Sequence, residues 1–291
     1  MDFDSFHTQA WDDHAVDAGG VARRLSEQGV ALLTSESQLV QLMNLAHHLH
    51  GAHLAIWAKG AVVFAQLKAS RFFQTGGESG DVARRCLASL ALSAADDFSL
   101  TALSVSDQIR VQAMAAANLA ETDTQRGMRL LQLALVQAEH SGLLTTDAMN
   151  RALAASGHNL AAALQEKAVL TGDEIKLMLM ASQASRVYWE RAGTWLQVER
   201  AEYQLATTFL KAGDLVQAEF HARECARIVA EHKAPALERF FACEALARVM
   251  WAAKNDAACK VACEQAHKAF DGLEAGDKVW CEDALDKLSR D

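Results

Sequence analysis

Small and apolar residues recur at three- and four-residue steps along most of the chain. The clearest run is residues 199–232, ERAEYQLATTFLKAGDLVQAEFHARECARIVAEH. Leu205, Phe209 and Leu210 form an apolar stripe at helical spacing. Gly213 stands where that helix must stop, because glycine accepts the left-handed conformation of a helix end. Asp214 follows, and its carboxylate can accept from the free N–H groups that open the next helix. Leu215, Ala218, Ala222, Cys225 and Val229 then repeat the stripe. Together with Ala206 and Ala226, the small residues Ala218, Ala222 and Cys225 predict two antiparallel helices at short interaxial distance.

The same reading extends to the whole chain. It predicts helices over residues 4–16, 20–33, 35–57 and 59–73, a loop over 74–80, and a helix over 81–95. Residues 96–106 fit either a short helix or a loop. Asp107 is expected to cap a helix over 107–123, with its partner from Thr124 to about residue 142. Helices over 145–167 and 173–192 precede the 199–232 hairpin. Pro235 suits the first turn of a helix over 236–253, which returns over 257–270. A last short helix over 277–288 is expected to cover the end of a stack.

Composition supports an all-α chain. Of 291 residues, 51% are hydrophobic, one is proline and two are tyrosine, and β-branched runs are scarce. That is enough apolar material for a large core, and a stack of hairpins grows to this length more readily than one bundle does. The formal net charge is -9, which opposes a phosphate backbone and excludes nucleic acid as the expected partner. No uncharged apolar run is long enough for a membrane span; residues 54–67 are interrupted by Lys59. The acidic start, MDFDSFHTQAWDD, has no leader-like pattern. Six cysteines without a CxxC pair then point to a reducing, cytoplasmic setting.

A step of 41 residues carries Ala206, Phe209, Ala218, Ala222, Cys225 and Val229 onto Ala247, Met250, Cys259, Cys263, Ala266 and Phe270. A step of 91 in the other direction gives Ala115, Asn118, Gly127, Leu131, Ala134 and Ala138. The run LATTFLKAGDLVQAEFHARECA, with Leu205, Ala206, Phe209, Gly213, Asp214, Ala218 and Cys225 in matching places, resembles the tetratricopeptide repeat (TPR). The match lacks the early tryptophan, an aromatic at Ala222 and a closing proline near Ala230. The chain is also similar to bacterial helical proteins carrying the run YWERAGTWLQVERAEYQLA. The resemblance implies a right-handed α-solenoid of stacked antiparallel hairpins. It further implies a concave face, lined by first helices, that holds a peptide or protein. The chain is expected to be one TPR-like domain over 1–291, with a subdivision into opening hairpins over 1–75 and a main stack over 81–291.

Candidate chemistry is sparse. His47 and His50 share a helix face, and with His53 they could bind a metal; alternatively they are a helix-end cluster filling a seam. Cys259, Cys263 and His267 follow at four-residue steps, a zinc-like set, yet the two cysteines stand where the preceding hairpin has Ala218 and Ala222. No nucleophile elbow, phosphate loop or HExxH run occurs, and no catalytic residue or cofactor is assigned. His158 and Asn159 are read either as polar groups of a groove or as a satisfied buried pair, the second being preferred.

By overlay, Arg200, Tyr203, Gln204, Thr207 and Lys211 point inward from one first helix, and Phe241, Glu244, Arg248 and Trp251 from the next. Arginines beside aromatics suit recognition, although Phe241 and Trp251 could simply pack on a neighbouring helix. The expectation is a non-enzymatic scaffold that binds a protein or peptide segment. The alternatives are a small-molecule sensor and, more remotely, a metal-binding protein that uses the histidines.

Overall fold

The computed structural model describes residues 1–95 and 97–290. Among them are fourteen α-helices and no strand, with neighbouring helices packed on one another within each unit. The chain divides into two compact units, Met1–Met149 and Asn150–Asp291. No helix of the described residues is long and apolar enough to cross a membrane.

The first unit holds α1 (Phe3–Asp13), α2 (Ala18–Glu27), a 3-10 turn (Gly29–Leu32), α3 (Glu36–His48), a π-helical turn (Leu49–His53), α4 (Trp57–Lys68), α5 (Glu78–Ala94), α6 (Val105–Leu119) and α7 (Thr124–His140). Its main core gathers Phe3 and Phe6 of α1, Leu25 of α2, Leu39 and Leu42 of α3, and Phe64 and Leu67 of α4. A polar seam runs beside it. Buried Asn118 donates from Nδ2 to Ser89 Oγ (3.1 Å) and Ser93 Oγ (3.0 Å). Arg126 of α7 closes the end of α5 by donating to the carbonyls of Leu92 and Ser93.

The second unit holds α8 (Ala148–Glu166), which begins at the boundary, then α9 (Gly172–Ala192), α10 (Trp195–Ala212), α11 (Leu215–Glu231), α12 (Ala236–Ala252), α13 (Asp256–Asp271) and α14 (Ala275–Arg290). Helices α9 and α10 both open with a capping box, Thr171 with Glu174 and Thr194 with Gln197. Gly157 lets α8 approach α9, because a Cβ there would lie 2.5 Å from the Ala181 carbonyl oxygen. Leu205, Phe209, Ala218, Ala222, Ala245, Val249 and Met250 form a core under α10, α11 and α12.

Three of the turns between helices are built alike. Gly213 ends α10 with φ +82°, and Asp214 caps α11 by accepting from Gln217 N–H at 3.1 Å. Forty-one residues on, Lys254 takes the same left-handed conformation, φ 57°, and Asn255 caps α13 from Ala258 N–H at 3.2 Å. Ninety-one residues back, Asp123 caps α7 from Arg126 N–H at 3.1 Å. Three hairpins thus share one reversal: a stop, then a short acceptor side chain opening the return helix.

Several boundaries differ from the sequence expectation, each for a local reason. The helix expected over 35–57 breaks at His48 into the π turn. Asp107 does not cap α6; Ser104 does, accepting from Asp107 N–H at 3.2 Å, while Asp107 pairs with Arg85 at 3.2 Å. The helix expected from 145 begins at Ala148, because Asp147 Oδ1 holds Met149 N–H at 2.8 Å. The helix expected over 59–73 ends at Lys68, and its last residues fold into turns. Of the ambiguous stretch, 97–104 is turn and coil, whereas residue 96 lies outside the described residues.

The two left-handed residues make a paired prediction. Gly213 has open space around a would-be Cβ, so Gly213→Ala is expected to cost about 1–2 kcal/mol through backbone strain alone. Lys254→Gly relieves the same strain but loosens the unfolded chain, for a net gain of roughly 0.5–1 kcal/mol. Urea unfolding of the two variants beside the parent measures both signs.

Candidate functional site

Helices α10 and α12 lie side by side, and the side chains between them concentrate charge. Four glutamates, Glu199 and Glu202 of α10 and Glu238 and Glu244 of α12, are buried. A buried carboxylate needs donors or a proton. Glu202 receives Arg186 Nε at 2.5 Å and faces His221 Nδ1 at 2.6 Å. Glu238 takes Arg200 through both Nε (3.4 Å) and Nη2 (2.5 Å). Glu244 accepts from Tyr203 Oη and from Arg248 Nη1, each at 3.1 Å.

Glu199 is different. Cys225 Sγ–H donates to its Oε1 at 3.0 Å, and no donor reaches its Oε2. A second carboxylate, Glu238, interacts with it, and the two titrate as a pair. Burial first, and then the negative charge of Glu238, push Glu199 up from 4.5 to about 7, against the opposing pull of Cys225 and Arg200. Burial likewise pushes the Cys225 thiol up, with Glu199 adding to it.

Three cavities open along this pair of helices. One, about 320 Å³, is lined by His158, Glu199, Arg200, Tyr203, Leu237, Glu238, Phe241 and Trp280. Its aromatic wall is continuous: Tyr203 and Phe241 meet edge to face at 5.6 Å, and Phe241 and Trp280 at 5.1 Å. A second, about 470 Å³, shares Tyr203 and adds Ala162, Gln165, Glu166, Thr207, Leu210, Lys211 and Arg248. A third, about 240 Å³, shares Leu210 and Arg248 and reaches Trp251, Cys259 and Cys263. Tyr203 and Arg248 are the two links of this strip.

Of the nine side chains expected on a groove, seven line these cavities: Arg200, Tyr203, Thr207, Lys211, Phe241, Arg248 and Trp251. The guanidinium-bearing side chains of Arg200 and Arg248 keep 55% and 44% of their exposure. Trp251 is exposed on the cavity rim and does not bury itself on the next helix. Lys211 donates to the carbonyls of Gln165 and Lys167, closing the end of α8. Gln204 and Glu244 are corrections. Gln204 is buried and donates from Nε2 to the His158 carbonyl at 2.8 Å, and Glu244 sits beneath Tyr203 and Arg248 as their anchor. The buried-pair reading of His158 and Asn159 also fails, since Asn159 is exposed and His158 forms part of a cavity wall.

Glu199, Glu238, Gln165 and Trp280 were missed. The signal for Glu199 lay in the sequence: extending the Leu205, Ala206 and Phe209 stripe backward by helical steps lands on Glu202 and Glu199. A carboxylate on an apolar stripe is a perturbed group.

The other candidates separate. His47 turns inward to Ser89 Oγ (3.1 Å) and His50 to the Ala46 carbonyl (2.9 Å), so these two do not join His53. His53 instead meets His48 and His14. Burial, and then the charges of His53 and His14, hold His48 down at about 3. Cys259 and Cys263 lie 3.9 Å apart. Burial, with Cys259 adding to it, raises the Cys263 thiol to about 11. His267 is exposed and does not cluster with them. In the first unit a cavity of about 680 Å³ lies between α5 and residues 98–103, with Lys68 and Arg84 its charged lining.

Comparison of the chain with protein-family models, curated proteins and solved structures gave no match in any of the three.

The raised Glu199 fixes a pH dependence. Below pH 4.5 the group is protonated folded and unfolded. As pH rises towards 7 the unfolded chain releases this proton and the folded chain keeps it, so stability falls across that window. Glu199→Gln keeps the acceptor for Cys225 and supplies a donor towards Glu238. The variant is expected to exceed the parent in urea midpoint at pH 8, with the difference shrinking by pH 5.

Proposed function

We propose that the second unit is a peptide-binding module whose hairpins stack as a TPR-like, right-handed solenoid, with α10 and α12 as first helices facing the ligand. The observation that supports this most is the arrangement of Arg200, Tyr203 and Arg248. Two half-exposed arginines, each gripped from below by a buried glutamate, flank a tyrosine along three cavities that share walls. Guanidinium N–H groups left over from Glu238 and Glu244 face the cavities and suit carboxylates of a ligand. The anchoring glutamates also hold the arginines in place before binding, which lowers the ordering cost of association. A linked strip of small cavities suits an extended chain better than a compact molecule.

A binding rather than catalytic role fits the charge pattern: Glu202, Glu238 and Glu244 are each tied into pairs with their neighbours. Six free thiols favour a reducing compartment such as the cytoplasm. A second reading has one specific support. The 680 Å³ cavity of the first unit falls in the size range of small-molecule sites and is mostly walled by alanine, leucine and phenylalanine. Native mass spectrometry of the purified chain tests it: a retained apolar adduct favours that reading, and an unliganded mass counts against it.

Panning a random peptide library tests the module. Peptides rich in Asp and Glu, or with a free C-terminal carboxylate, are expected to be enriched. Each charge-assisted contact is worth about 1.5–3 kcal/mol. Arg200→Glu with Arg248→Glu should therefore weaken an enriched peptide more than tenfold without lowering helix content. No enrichment, or equal affinity in the double variant, rejects the strip as a binding surface.

A further inference from the structure

We propose that His14, His48 and His53 form a site for one divalent transition-metal ion, zinc being the best-suited. This site belongs to the first unit and is independent of the peptide reading. One ring nitrogen from each histidine lies within 4.8 Å of the other two, and the Nε2 atoms of His48 and His53 are 2.9 Å apart. Zinc bound tetrahedrally at about 2.0–2.1 Å holds its ligand nitrogens about 3.4 Å from one another. Small ring rotations bring the three nitrogens to that spacing.

The backbone builds this convergence. His48 ends α3, and His53 ends the π turn that follows it. In a regular α-helix residues five apart point about 140° from each other. The π turn bonds Leu54 N–H to the Leu49 carbonyl at 2.9 Å, an i to i+5 bond that widens the coil, and His53 swings back over His48. Such turns are rare and concentrate at functional sites. His14 arrives from the end of α1, and its Nδ1 is engaged by the Trp11 carbonyl, which leaves Nε2 for a ligand, as an outer-shell partner does for a metal-bound imidazole. The Trp11 ring packs on both His14 and His48 at 5.1 Å and is itself fixed by a 3.0 Å bond from Nε1 to His7.

Three imidazoles with no carboxylate among them select zinc, nickel or copper over magnesium and calcium. His53 is exposed, so the ion enters from solvent. Three protein ligands leave a coordination position for water or a further donor.

The test uses the full chain without an affinity tag, stripped with chelator and titrated with zinc by calorimetry and with cobalt(II) by visible absorption. The expected result is one ion per chain at micromolar or tighter affinity, four-coordinate cobalt bands and a rise in Tm. His53→Gln and His14→Gln should each weaken binding at least tenfold. Circular dichroism of the metal-free His53→Gln and His14→Gln variants should show the parent's helix content, so that lost binding is not lost fold. Cys259→Ser with Cys263→Ser should bind as the parent does. Absence of stoichiometric binding overturns the proposal, and so does binding that survives both histidine variants or vanishes with the cysteine pair.

Discussion

Ala218 and Ala222 have no accessible surface left between α10 and α11. Side chains that stop at Cβ let the two helix backbones come close, and close backbones bury every side chain along the seam, whatever its chemistry. Gly127 plays the same part between α6 and α7, where a Cβ would sit 3.0 Å from the Ala116 carbonyl oxygen. Larger residues at these points would wedge the pairs apart. The remainder of each unit depends on this spacing, since a hairpin pressed flat has an apolar side that only the next hairpin can cover.

The tight spacing has an electrostatic consequence. Glu199, Glu202, Glu238 and Glu244 all sit on α10 and α12, and all are buried. Each ionised carboxylate taken out of water carries a penalty that attraction to a partner repays only with good geometry. Three of the four have it. Glu199 lacks it, and burial with the charge of Glu238 raises its hold on a proton. The pairing also sorts the surface: the glutamates go under, and the arginines that neutralise them stay half-exposed above. Arg200 and Arg248 therefore put positive charge on the rim, beside the exposed Glu166, on a chain of net charge -9. Local placement, not overall balance, sets what this strip can meet.

The helices and their pairing were legible because small residues at helical spacing encode close packing directly. Gly213 and Asp214 marked the reversal without ambiguity. The equivalent turn at Lys254 carries no glycine, and its left-handed backbone follows from the fold around it. The cap at Ser104 was passed over for Asp107 because both are good N-cap residues and only the coordinates of the loop before α6 choose between them. Seven of the nine side chains placed by overlay line the cavities, because residues at three- and four-residue steps share one helix face. Gln204 and Glu244 were misplaced because a polar side chain beside the stripe can turn in or out. The choice is made by a partner distant in sequence: the His158 carbonyl for one, Tyr203 for the other.

Both candidate sites sit where a local rule is broken. A carboxylate on an apolar stripe conflicts with burial, and a π turn after α3 conflicts with regular helix. Neither stabilises the fold by itself, and sequences that specify a fold tend to break such rules at functional positions. The histidine cluster makes the case more sharply. Written as regular α-helix, the run HHLHGAH sends His48 and His53 to different faces, and the eye pairs His47 with His50 instead. One widened turn reverses that assignment: it sets His53 against His48, while His47 and His50 engage Ser89 and the Ala46 carbonyl. Gly51, within that turn, lies close against Asn118, whose Oδ1 would sit 2.3 Å from a Cβ there. The turn thus abuts the same buried amide that ties α6 to α5. The cluster joins the end of α1 to the end of α3 and the turn after it, which is why spacing along a single helix could not reveal it.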